Sequence, residues 1–152
     1  MVLGERNMSI EYTNSFQLVK RIAKVVAPEF RVFATSQLQP EEFAVDLKRR
    51  TIEVGEGTGE QKAITSILFQ LGHVILSTQP DFKEHSGQIS PDINEARLIN
   101  KLVREGHEAD QFASNWASSV LVSTFGIDLV EARKMTDNLV WSEDEWRSYY
   151  SS

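Results

Sequence analysis

The chain contains no cysteine. That excludes disulfide bonds and any thiolate-bound metal. Histidine is scarce as well, at His73, His85 and His107, so a zinc ion would need these residues and carboxylates. No apolar run reaches the roughly 20 residues of a membrane span. The opening stretch MVLGERNMSIEYTNS lacks the basic start, apolar centre and small-residue cleavage site of a secretory signal. The expectation is a cytoplasmic protein without a membrane partner. A formal net charge of -6 announces no basic domain face and gives nucleic acid no support as a partner, although Lys48-Arg49-Arg50 forms a local basic cluster. Within these exclusions, 152 residues that are 41% hydrophobic suffice for one soluble domain with a real core.

Residues 1–13 carry little pattern and read as a flexible arm. Asn14 or Ser15 can cap a first helix, with Phe16, Val19, Ile22, Ala23 and Val26 at helical spacing and Pro28 as the stop. The segment Glu29 to Ser36 alternates and is rich in β-formers, so it reads as a strand. After a connector, Phe43 to Val54 reads as a hairpin: Phe43, Val45 and Leu47 alternate on one arm, Ile52 and Val54 on the other. The basic cluster lies between them, either as a solvated turn or as a docking patch. The glycine-rich link Gly55-Glu56-Gly57-Thr58-Gly59 lacks the Lys-Ser/Thr of a phosphate loop.

The chain is organised around Thr58 to Thr78, TGEQKAITSILFQLGHVILST. Thr58 with Gln61 gives a capping signal. Ile64, Ile67, Leu68, Leu71 and Ile75 recur as one helix face, while Phe69, His73 and Leu76 fall on the other flank. A helix apolar on both flanks is a buried one, set between a core and a cleft. Gly72 in its middle costs about 1 kcal/mol relative to alanine, so close helix packing is the reason to keep it. A polar loop with His85 follows. Ser90-Pro91 then opens a long helix to about Ser123, which Thr124-Phe125-Gly126 ends. Two short helices close the chain, at Ile127 to Met135 and Ser142 to Tyr150. The second carries a capping box, Ser142 to Glu145.

The segment Phe69-Gln70-Leu71-Gly72-His73 resembles the zincin active-site helix, H-E-L-G-H followed by an apolar run. That motif supplies two histidine zinc ligands and a glutamate base. The order of elements resembles the compact gluzincin core of ImmA/IrrE-type peptidases, over roughly Phe16 to Val122. The resemblance implies a small antiparallel sheet against a central buried helix and a second long helix. In that family the second helix supplies a glutamate ligand in a pattern like E-x-x-A-N/D-x-F-A. Here Ala109-Asp110-Gln111-Phe112-Ala113 matches its end, which puts Gly106 at the glutamate position.

Chemistry has therefore been removed from the motif. Phe69 replaces a ligand, Gln70 the base and Gly106 the third ligand, while His73 and Asp110 survive. One histidine cannot hold catalytic zinc, which takes three protein ligands, and a glutamine cannot serve as a general base. Phe69 would fill the ligand position, with room left for its ring at Gly106. Asp110, in the buried arc of its helix, is expected to hydrogen-bond rather than bind metal. Glu105 and Glu108 flank Gly106 as outside ligand candidates, and His107 points toward solvent.

The expectation is thus an α+β fold, with a zincin-like core at 14–123 and a helical extension at 124–152. It is a catalytically inactive, metallopeptidase-like domain without catalytic residues or cofactor. The resemblance implies that it binds a protein or extended peptide, such as a regulator, by strand addition at the cleft edge. Two alternatives stand beside it. One is an active zinc peptidase with a non-standard site from His73, Glu105 or Glu108, and His85. The other is an assembly protein using the aromatic, acidic segment with Trp141, Trp146, Tyr149 and Tyr150, which reads either as a docked tail helix or as a partner surface. Trp116 reads as packing.

Overall fold

The computed structural model describes residues 9–77 and 95–151. The arm at residues 1–8, the loop carrying His85 and the Ser90-Pro91 helix start lie outside the described residues. The chain divides into two compact units, Met1–Leu71 and Gly72–Ser152. The division falls inside the central helix. The fold class is α+β, as predicted.

The first unit begins with a 3-10 turn, Ile10–Tyr12. Ile10 is buried, and its N–H donates to the Glu56 carbonyl at 3.1 Å, so residues 9–13 are tied down rather than a loose arm. Helix α1 spans Asn14–Val26. Its cap is Thr13, one or two residues before the predicted Asn14 or Ser15. The Thr13 backbone is extended and its hydroxyl accepts the Phe16 N–H, the geometry of an N-cap. Phe16, Val19 and Ala23 are its buried face.

Three strands form the sheet: β1 (Arg31–Thr35), β2 (Phe43–Asp46) and β3 (Thr51–Gly55). The hairpin is as predicted, antiparallel with Phe43 opposite Val54 and Asp46 opposite Thr51. Leu47 leaves the arm and is exposed in the turn. There Asp46 accepts the N–H groups of Lys48 and Arg49 at 3.0 Å each, and Arg50 pairs with Glu29. The sheet is mixed rather than wholly antiparallel, because β1 runs parallel to β3 in the order β1-β3-β2. Loop 36–42 carries the chain past the place that β3 later fills. Gly55 lets it through: a Cβ there would sit on the Gln39 carbonyl. Thr58 holds it, since the Thr58 hydroxyl accepts the Glu41 N–H at 2.8 Å.

Thr58 is therefore not the cap of the central helix α2 (Glu60–Ser77). Gly59 takes that place, its carbonyl accepting the Ala63 N–H at 2.9 Å. Every residue from Ala63 to Phe69 is buried, as are Leu71 and Val74. The two apolar flanks are thus realised.

The second unit is helical: the last turns of α2 from Gly72, then α3 (Glu95–Ser123), α4 (Leu129–Asp137) and α5 (Glu143–Ser151). Both short helices pack on α3. Gly126, at φ 68, turns the chain after α3, and Asp128 caps α4 through the N–H groups of Val130 and Glu131. The predicted capping box of α5 is formed in both directions, Ser142 N–H to Glu145 and Glu145 N–H to the Ser142 hydroxyl. No described helix is long and apolar enough to cross a membrane.

Candidate functional site

The site is built on one face of α3, from three residues spaced about a turn apart: Gly106, Asp110 and Ala113. Ala113 meets Gly72 of α2. A Cβ on Gly72 would lie 2.8 Å from the Ala113 Cα, so the two backbones nearly touch and only glycine fits. This is the close packing that the sequence implied. It brings the next residue of α2, His73, onto the residue one turn back on α3, with His73 Nε2 2.9 Å from Asp110 Oδ1.

Asp110 is 3% exposed. A buried carboxylate is tolerated only where its lone pairs are used. Its second oxygen, Oδ2, accepts the Trp141 backbone N–H and the Trp146 indole Nε1–H, both at 3.0 Å. An ionised carboxylate only accepts, so His73 donates from Nε2 in this arrangement. Asp110 hydrogen-bonds, as predicted, and both oxygens are engaged by protein donors.

Gly106 explains how the indole arrives. A Cβ on Gly106 would come within 2.7–2.9 Å of three Trp146 ring atoms. The ring that exploits this glycine is therefore Trp146, where the sequence assigned the room to Phe69. Phe69 itself is buried. Gln70 is half-buried. His107 does not simply face solvent: it is half-buried, with Nδ1 3.3 Å from the Trp141 carbonyl.

The remaining aromatics form a cluster. Trp141 and Trp146 have ring centroids 4.8 Å apart, and Tyr150 stacks on Trp146 at 5.8 Å with an interplanar angle of 19°. Tyr149 sits edge-on to Trp146 at 6.0 Å. Burial raises the Tyr150 hydroxyl above its ordinary pKa of 10.0, helped by Tyr149 and the Glu105 carboxylate. Trp141 and Tyr149 remain 39% and 60% exposed. Trp116 is half-buried.

The outside ligand candidates Glu105 and Glu108 line a different feature, a groove of about 490 Å³ shared with Leu76, Lys101, Arg104, Ala109 and Phe112. Glu105 pairs there with Lys101 at 3.8 Å. Among the described residues, no group of three His, Asp or Glu side chains could hold a metal ion. His85 lies outside them. No protein-family model, curated protein or solved structure matches the chain.

Sequence reasoning found His73 and Asp110 but missed their junction with Trp141 and Trp146. A signal was present. An aspartate predicted to be buried needs donors, indole is a donor without an acceptor, and Gly106 lies one turn before Asp110 on the same face.

Proposed function

We propose that this chain is a non-catalytic, peptidase-like domain of the cytoplasm that acts by binding another protein. The supporting observation is the closed hydrogen-bonding of Asp110. The histidine and the carboxylate that survive from the peptidase-like pattern are spent on each other and on the C-terminal segment. A metal ligand must aim a lone pair at the ion. Here His73 Nε2 and both Asp110 oxygens face protein groups instead. The pair fastens α5 to α3, and this presents Trp141 and Tyr149 on a rigid aromatic cluster. Exposed aromatics on a fixed support suit a protein interface.

The test is metal retention. The purified protein is loaded with zinc and dialysed, then zinc per chain and the shift in melting temperature are measured. No retained zinc and no shift are the expected results. One zinc per chain, lost in His73→Ala, would overturn the proposal and make peptidase assays the next step.

A further inference from the structure

In the first unit α1 packs against β1, and residues of both line a groove of about 650 Å³. That is the size of a site for a small organic molecule. Lys20, Ala23 and Lys24 reach it from one face of α1, at i, i+3 and i+4 spacing. Pro28 and Phe30 join from the connection, and Arg31 and Phe33 from β1. Phe30 and Phe33 are only half-buried, so part of each ring is left uncovered by the described residues.

The ionisable groups of the lining are all cations, Lys20, Lys24 and Arg31, in a chain of net charge -6. Lys20 is matched by Glu11 at 3.1 Å. Among the described residues, Lys24 and Arg31 have no carboxylate partner. The Arg31 guanidinium lies over the Phe33 ring, 5.6 Å from its centroid, which sets a cation directly beside apolar surface. Two unmatched cations next to aromatic rings fit an anion with an aromatic body. The charge of that anion is limited by α1, which meets the groove with its C-terminal half, the negative end of the helix dipole. A singly charged carboxylate suits that end better than a doubly charged phosphate.

We propose that this groove is a binding site for a small aromatic carboxylate. The ligand ring would lie against Phe30 and Phe33. Its carboxylate would meet Lys24 and the fork of N–H groups on Arg31. The inference rests neither on the peptidase-like reading nor on the aromatic cluster of the second unit. Zinc retention bears on that reading, and ligand titration on this one.

The experiment is a titration of the full chain with 2-naphthoate at neutral pH, followed by nitrogen-edited NMR of the backbone amides. Three further probes divide the recognition: 2-naphthalenemethanol keeps the ring without the charge, acetate keeps the charge without the ring, and 2-naphthyl phosphate doubles the charge. Naphthoate is expected to give saturable shifts centred on Lys24 and residues 30–33. The alcohol and the phosphate should bind more weakly, the alcohol by roughly tenfold or more, and acetate should not saturate. Lys24→Glu with Arg31→Glu, both exposed positions, is expected to weaken naphthoate binding roughly tenfold or more. Arg49→Glu, in the hairpin turn, should leave it unchanged. If the double reversal does not fold, Lys24→Gln with Arg31→Gln decides in its place. No saturation at millimolar naphthoate, or shifts centred elsewhere, would overturn the proposal. So would equal binding of the alcohol, tighter binding of the phosphate, or an affinity indifferent to the loss of both charges.

Discussion

In the first unit, the largest fully buried side chains are Phe16, Val19, Ile52, Val54, Ile67, Leu68 and Leu71, with the smaller Ser66 among them. All but Ser66 are aliphatic or aromatic groups with no polar atom to satisfy. In the second unit, the buried face of α3 is built largely of small and polar residues: Ala109, Asp110, Ala113, Ser114, Ala117 and Ser118. Ser114 donates to the Thr136 hydroxyl at 3.0 Å, and Thr136 passes the chain on to the Ala132 carbonyl. The first unit is thus held by buried volume. The second is held by close backbone approach and by a carboxylate with three partners. The difference teaches where each is vulnerable. A volume-held core loses stability in proportion to the atoms removed. A polar junction loses it abruptly, when one partner leaves the others unsatisfied.

The largest effect should come from Asp110→Leu. It strips three donors of their acceptor, at a cost of about 3–5 kcal/mol in a denaturant melt. The near-ultraviolet circular dichroism of the tryptophans should collapse with it. Gly106→Val should displace the Trp146 ring and cost about 2–3 kcal/mol, with the loss concentrated in hydrogen-exchange protection of α5. Gly72→Val forces α2 and α3 apart at Ala113, and should cost about 1–3 kcal/mol. Ile52→Val, in the first unit, should cost only about 1 kcal/mol. An Ile52→Val loss equal to that of Asp110→Leu would break the comparison between the two units.

The smallest effect is set by pH. Burial holds the Tyr150 proton more tightly in the folded chain than in the unfolded one. The sign follows: this contribution is intact below pH about 10 and is lost as pH rises through the folded value. Tyr150→Phe should therefore flatten the alkaline limb of a melting-temperature profile and leave neutral pH nearly unchanged.

Elements with strong periodicity were legible in the sequence. α1, the hairpin, α2, α4 and α5 follow from apolar spacing and turn residues, and the Ser142–Glu145 box was legible because both partners are local. Features that depend on distant partners were not. Thr58 carries a capping signature, but its hydroxyl serves Glu41 across the sheet loop. The parallel pairing of β1 with β3 depends on loop 36–42 crossing over Gly55, and no local pattern encodes that crossing. At the site, the inward position of Asp110 was legible from the helical wheel. The use of Gly106 by Trp146, some 40 residues on in the chain, was not, because glycine announces room without naming its occupant.

Asp110 holds His73 through one oxygen and Trp146 through the other, and the proposed non-catalytic reading requires that zinc leave this junction untouched. This requirement is tested most directly by following the Trp146 indole Nε1–H signal by nitrogen-edited NMR during a zinc titration. The account predicts a protected signal that stays in place through one equivalent of zinc and moves in Asp110→Asn. A signal that shifts and saturates at one equivalent of zinc, and no longer does so in His73→Ala, would contradict it.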